Sequence, residues 1–252
     1  MNLKKLIFTE NACYKTGQTI TPKGIMVHST GANNPKLSRY VGPDDSLLGK
    51  NPNNNHWNTA KPDGRDICPH GFIGQLADGS VATYQVLPWN HRGWHAGNGT
   101  KGSANSTHIG FEICEDGLTD AKYLGAVYQE AAELCAMLCR MYKLDPMASG
   151  VLIGHSEGYK LGIASNHADP AHWFTKHGKT MDDFRKLVKQ LMDGSTTTDP
   201  KPEPPAPTPQ PPTPGQVLYR VQVGAYATKA NADAALTHAK AMGFKDAFIF
   251  VL

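Results

Sequence analysis

The stretch Val151–Trp173, VLIGHSEGYKLGIASNHADPAHW, decides how the chain is read. Val151, Leu152 and Ile153 form a short apolar run that delivers His155 at its end. A run of this kind bounded by turn residues has the pattern of a buried strand. Beyond it, Gly158, Gly162, Ser165 and Asn166 give the segment the look of a loop. His155, His167 and His172 fall in this window, together with Asp169-Pro170. Imidazoles and a carboxylate gathered on a loop behind a strand are what a metal site requires.

Outward from this stretch the periodicities are clear. Leu124, Val127, Ala131, Leu134, Cys135, Leu138 and Tyr142 recur at helical spacing and predict a helix over Ala121–Tyr142. Thr119 or Asp120 is its expected N-cap, and Leu144-Asp145-Pro146 its end. Its apolar stripe reads as core. Met181–Met192 predicts a second amphipathic helix, with Asp182 and Asp183 at its positive end. Upstream, Gly24–Thr30 (GIMVHST) reads as a buried strand with His28 near its C-terminal end. Two apolar runs, His70–Gly74 and Val81–Pro88, flank Ala77-Asp78-Gly79-Ser80 and predict a hairpin. His108–Cys114 (HIGFEIC) reads as another strand, with Ile109, Phe111 and Ile113 on one side and Glu112 on the other. Asn33–Arg65 is a long polar loop, of a length that is usually functional or disordered. Residues 1–20 show no clear pattern. The order strand, hairpin, strand, helix, strand, loop, helix predicts an α/β domain over residues 1–193, a mixed central β-sheet flanked by helices.

The net charge of +3 is too mild to argue for nucleic acid. The five cysteines, Cys13, Cys68, Cys114, Cys135 and Cys139, match no Cys-x-x-Cys metal pattern. No disulfide framework is expected in a chain this long, and a reducing site of synthesis follows. Met1–Lys15 places only Leu6-Ile7-Phe8 behind its lysines, short of the ~7–15 apolar residues of a signal-peptide core. No run approaches the ~18 apolar residues of a membrane helix. Synthesis in the cytoplasm, without an export signal or a membrane anchor, is the expectation.

Asp199–Pro214 holds nine of the eighteen prolines and predicts a semi-rigid linker over 194–216, extending roughly 50 Å at ~3.1 Å per residue. Residues 217–252 read as a small βαβ module: a strand at Leu218–Tyr226, a helix at Lys229–Met242 with Asn231 as its cap, and a strand at Phe244–Leu252. A unit this small is below the usual size for independent folding, so pairing with a second copy or a partner is expected.

Hydrolytic zinc centres use three protein ligands and keep one position open. His28, His155 and Asp169 supply two imidazoles and a carboxylate. Glu112 is the candidate proton carrier, since a lone acid in an apolar strand is costly unless paired or beside a metal. An edge-strand carboxylate in water is the alternative. His167 is the candidate oxyanion stabiliser. Trp57 and the Trp94-His95 pair are candidate groove residues, with anchoring of their loops as the alternative.

These motifs carry a resemblance. His28 in IMVHST, Glu112 in HIGFEIC, and GHSEGYKLGIASNHADP resemble the zinc-dependent N-acetylmuramoyl-L-alanine amidases of the type-2 family, relatives of the peptidoglycan recognition proteins. The resemblance covers about Gly24 to Asp169. It implies a mixed sheet with helices on both faces, a zinc ion (Zn2+) on His28, His155 and Asp169, and Glu112 as catalytic glutamate. Two features depart from the pattern: a longer gap between His155 and Asp169, and His167 where a lysine is usual. His167 is therefore an oxyanion stabiliser or a rival third ligand, with Asp169 preferred for its Asp-Pro context. His95 resembles a substrate-groove residue. The tail, with Val221-Gln222-Val223-Gly224-Ala225-Tyr226 and Asn231-Ala232-Asp233-Ala234, resembles half of a SPOR-type peptidoglycan-binding repeat.

The resemblance implies cleavage of the amide between N-acetylmuramic acid and L-alanine in bacterial peptidoglycan, on the plan of phage endolysins and prophage autolysins. The expected partner is the cell wall, with no nucleic acid and no membrane. The chain is expected to be a monomer, or a dimer through its C-terminal module. A non-cutting recognition protein and a muropeptide-recycling amidase are the alternatives.

Overall fold

Strand β1 (Leu3–Lys5) opens the chain, followed by the one-turn helix α1 (Ala12–Lys15) and strand β2 (Gly24–Ser29). After a long loop come β3 (Gly71–Gln75), β4 (Val81–Gln85) and β5 (His108–Ile113). Helix α2 (Ala121–Tyr142), strand β6 (Leu152–Gly154) and helices α3 (His155–Leu161), α4 (Ala171–Phe174) and α5 (Met181–Gly194) complete the domain. This is a computed structural model; it describes residues 1–194, 228–229, 231–233, 235–236 and 248–249.

The six strands form one sheet in the order β1-β4-β3-β5-β2-β6. Only the β3–β4 hairpin is antiparallel. The sheet is therefore mixed, as the sequence predicts. Strand alternation divides the side chains between two layers. Ile25 and Val27 of β2 and Ile109, Phe111 and Ile113 of β5 pack with Leu124, Val127, Leu134 and Leu138 of α2 and with Phe184 and Val188 of α5. On the other face Phe72 and Tyr84 pack with Phe8, Tyr40 and Trp57. His28 and Glu112 alternate with the helix-facing residues and so point to this second face.

Helix α2 has the predicted bounds. Asp120 is its cap, accepting from the backbone N–H groups of Lys122 and Tyr123 at 2.9 Å. The long polar loop is anchored rather than loose. Trp57 is buried edge-to-face against Tyr40 and Phe72, and its Nε1–H donates to Asp63 at 3.1 Å.

Two expectations are corrected. The pattern-less N-terminus contributes β1, an edge strand paired with β4. The apparent loop after Ile153 contains two helices, α3 and α4, and His155 is the first residue of α3. Gly158 within its seven residues, and Gly154 and Gly162 at its two caps, disguise α3. Its first turn is held by the Glu157 carboxylate, which accepts from the Gly154 N–H at 2.9 Å and is gripped by Arg185 at 2.9 and 3.0 Å.

The chain divides into two compact units, Met1–Asp199 and Pro200–Leu252. In the second, the described residues between Lys229 and Leu236 are helical. Thr228, not Asn231, stands at the cap position, its Oγ1 accepting from the Asn231 N–H at 3.4 Å. Phe248 and Ile249 are in neither helix nor strand. The strand expected at Leu218–Tyr226, the rest of the tail and the proline-rich stretch lie outside the described residues. Among the described residues no helix is long and apolar enough to cross a membrane.

Candidate active site

His28, His155 and Asp169 converge although 127 and 141 residues separate His28 from the other two. β2 and β6 are parallel neighbours, so His28 near the end of one and His155 just past the end of the other emerge together. Ligand sites in such sheets sit at the carboxyl ends of strands. Asp169 comes from the turn before α4 and precedes a cis proline. The Nδ1 atoms of His28 and His155 lie 3.0 Å apart. Asp169 Oδ2 is 3.1 Å from His28 Nδ1, and Oδ1 is 3.5 Å from His155 Nδ1. Burial pushes the Asp169 carboxyl up, but hydrogen bonds and charge from His155 and His28 outweigh it and hold it well below the usual range. One ligand atom from each residue lies within 4.8 Å of the others. Two imidazole nitrogens and a carboxylate are a donor set suited to a divalent transition metal. His167 is not part of this group.

Glu112 sits opposite His28 on the adjoining strand β5. Its side chain opens into the same cleft, yet Oε2 is buried with no hydrogen-bond partner. Burial, then the Asp169 and Glu115 carboxylates, push its carboxyl well above the usual range. A cation beside it would reverse that balance. This is not a water-exposed edge carboxylate.

The cleft, about 320 Å³, is lined by these four residues and by Trp57, Trp94, His95, Arg65, Ser165 and His167 among others. Trp57 lines it with a side chain that is only 9% exposed, so its main contacts are in the core. Trp94 borders it beneath the Arg92 guanidinium, 5.1 Å away. His167 stands exposed at the rim, its Nδ1 3.1 Å from Ser165 Oγ. His95 lies behind His28, with its Nδ1 2.9 Å from His28 Nε2. Desolvation, then the neighbouring His28 and His70, hold the His95 imidazole well below the usual histidine range. Trp173 is fully buried, and His172 pairs with the buried Glu115 at 3.0 Å, so both fasten the segment.

Residues 18–172 match the family described as N-acetylmuramoyl-L-alanine amidase. The chain belongs to that family. It is 33% identical over 204 residues to the N-acetylmuramoyl-L-alanine amidase XlyA of Bacillus subtilis, covering 74% of this chain and 60% of that protein. To the amidase CwlH of the same organism it is 34% identical over 108 residues, 40% of this chain and 33% of that one. It therefore spans less than two thirds of either relative. Among solved structures, the catalytic domain of XlyA superposes with a TM-score of 0.50 at 24% identity, covering 75% of this chain and 99% of that one. The hydrolase AmiA of Staphylococcus aureus does so with 0.51 at 18% identity, covering 78% and 84%. These likenesses show the fold. Residues 201–250 match the SPOR domain, and this match begins inside the proline-rich stretch.

Three residues of this amidase-family site escaped the reading of the sequence: Ser165, Asn105 and Glu115. Ser165 Oγ touches His155, His167 and the Ala96 carbonyl. Asn105 is fully buried, and its Oδ1 accepts from the N–H groups of His95 and Ala96 at 2.7 and 2.9 Å. Glu115 accepts from Ser29 Oγ at 2.5 Å. Serine and asparagine in glycine-rich loops carry no periodic signal, and none was available for these.

Proposed function

We propose that the chain is a zinc hydrolase that cleaves the amide between the lactyl group of N-acetylmuramic acid and L-alanine in bacterial peptidoglycan. The observation that carries this reading is the unpartnered Oε2 of Glu112, facing the same cleft as the His28, His155 and Asp169 group. Family membership supports the substrate class.

In this reading His28, His155 and Asp169 hold the zinc. A bound zinc ion supplies Lewis acidity, polarising the scissile carbonyl and acidifying water. Glu112 accepts a proton at its free oxygen and delivers it to the leaving amine of L-alanine. His167 at the rim hydrogen-bonds the oxygen on which charge develops. Trp94 and Trp57 provide apolar surface for the sugar and peptide.

Residues 217–252 hold the enzyme on the wall, joined to the catalytic domain (1–193) by the proline-rich linker (194–216). The site of action is then the cell wall.

Mass spectrometry of digested peptidoglycan tests the reading. New L-alanine amino termini, no new reducing ends, and arrest by a chelator are expected. New reducing ends would make the enzyme a glycosidase and overturn the mechanism.

A further inference from the structure

A neutral imidazole can bind a metal only through the nitrogen that lacks the proton, so something must set the tautomer of each ligand histidine. We propose that His95 and Ser165 are positioning residues that keep the proton of His28 and of His155 on Nε2 and present both Nδ1 atoms bare to the metal. The inference rests on the reading that His28, His155 and Asp169 form the zinc site.

For His28 the hydrogen-bond relay starts at a backbone carbonyl. His95 Nε2 lies 3.2 Å from the His108 carbonyl oxygen. A carbonyl can only accept, so His95 Nε2 carries a proton, and among the described residues no carboxylate pairs with the ring to hold a second one on Nδ1. Its Nδ1 is therefore an acceptor, 2.9 Å from His28 Nε2. His28 Nε2 donates that bond, and Nδ1 keeps the lone pair. His155 has a relay of the same kind. Ser165 Oγ lies 3.2 Å from the Ala96 carbonyl oxygen, which takes its only hydrogen. The same oxygen, 3.4 Å from His155 Nε2, accepts the proton there. Its remaining lone pair serves His167 Nδ1.

The two relays share one support. His95 and Ala96 are consecutive, and the Asn105 amide holds both N–H groups while donating to the Gly97 carbonyl at 3.1 Å. Two glycines leave room for them. A Cβ at Gly110 would lie 2.2 Å from His95 Nδ1, and one at Gly97, whose φ is +64°, would lie 2.7 Å from Ser165 Oγ. Without a cation the Asp169 carboxylate takes hydrogen bonds from these same nitrogens; two bare nitrogens and a carboxylate at 3.0–3.5 Å would repel, so the bare arrangement is that of the metal-loaded site.

The test uses the full chain and zinc alone, titrated against a chromogenic chelator. His95→Phe keeps a ring without its polar atoms, and Ser165→Ala removes only the hydroxyl. Each should weaken zinc about 10–100-fold, with melting of the zinc-free protein unchanged. His95→Asn, whose amide oxygen stands near the position of Nδ1, should recover much of the affinity. Long-range 1H–15N spectra of the zinc-loaded wild type should show His28 and His155 protonated at Nε2. Wild-type affinity in both His95→Phe and Ser165→Ala, or metal on Nε2 of either ligand, overturns the inference while leaving the zinc site standing. A wild type that binds no zinc, or one in which His28→Ala binds it equally well, overturns the site and this inference with it.

Discussion

His28 and Glu112 are register partners on the adjacent parallel strands β2 and β5. Their side chains emerge on the same face of the sheet, one as a metal ligand and the other as a carboxylate with a free oxygen in the proposed mechanism. Backbone pairing sets their separation, so no loop motion is needed to assemble them. Glu112→Gln should leave zinc content at the wild-type level and lower turnover about 10²–10⁴-fold. Undiminished hydrolysis in a zinc-loaded Glu112→Gln protein would remove Glu112 from the mechanism.

Asp169 separates the ligand roles. Asp169→Ala removes the carboxylate that sits against both histidines, whereas His167→Ala removes a rim residue. The first should abolish stoichiometric zinc, measured by elemental analysis; the second should retain it and lose turnover. Zinc at 100 times its Kd should stabilise the wild type by about 2.7 kcal/mol, and Asp169→Ala by none. Zinc loss in His167→Ala with retention in Asp169→Ala would reverse the assignment.

Acid should weaken the zinc-free fold through its buried histidines. His70 donates from Nε2 to the His91 carbonyl at 2.8 Å and accepts from the Gly110 N–H at 3.1 Å. Burial lowers its pKa to about 4. The unfolded chain takes up this proton below about pH 6.5, and the folded chain does so only near 4. Stability is therefore whole above 6.5 and is lost as the pH falls towards 4, by ~3 kcal/mol for this group. His28, His95 and His108 are shifted in the same direction. Urea unfolding at several pH values should show the fall, and His70→Gln should flatten it. An equal slope in His70→Gln would exclude His70 as a source.

Helix α2 should matter to stability and not to metal binding. Leu134 is fully buried against the helix-facing side of the sheet, and Leu134→Ala should cost about 2–5 kcal/mol. Asp120→Ala removes a cap with two hydrogen bonds and should cost about 1 kcal/mol. Both proteins should bind zinc as the wild type does. A change in zinc affinity in either would mean that the two faces of the sheet are coupled.

Deleting residues 201–252 tests the second unit. Retention on purified cell walls should fall, while hydrolysis of a small soluble muropeptide stays near wild type. Equal loss in both assays would make that unit part of the catalytic fold.

The amino-acid sequence by itself determined the elements whose side chains repeat with a fixed period. Ala121–Tyr142 shows helical spacing, Ile109, Phe111 and Ile113 alternate, and an Asp-Gly turn joins two apolar runs, so each is legible locally. It also exposed His28, Glu112 and His155 at or near strand ends, and Asp169 in its Asp-Pro context, as chemistry-bearing residues. The tertiary structure decided what lies behind them. β1 is too short to show alternation and forms by pairing with β4, while α3 is stabilised by Arg185 from another helix. His95 belongs beside His28, and Ser165 beside His155, only because the folded sheet brings segments 67 and 10 residues apart into hydrogen-bond range. A hydrogen bond needs position and angle to a few tenths of an ångström, and residue spacing along the chain carries no such information.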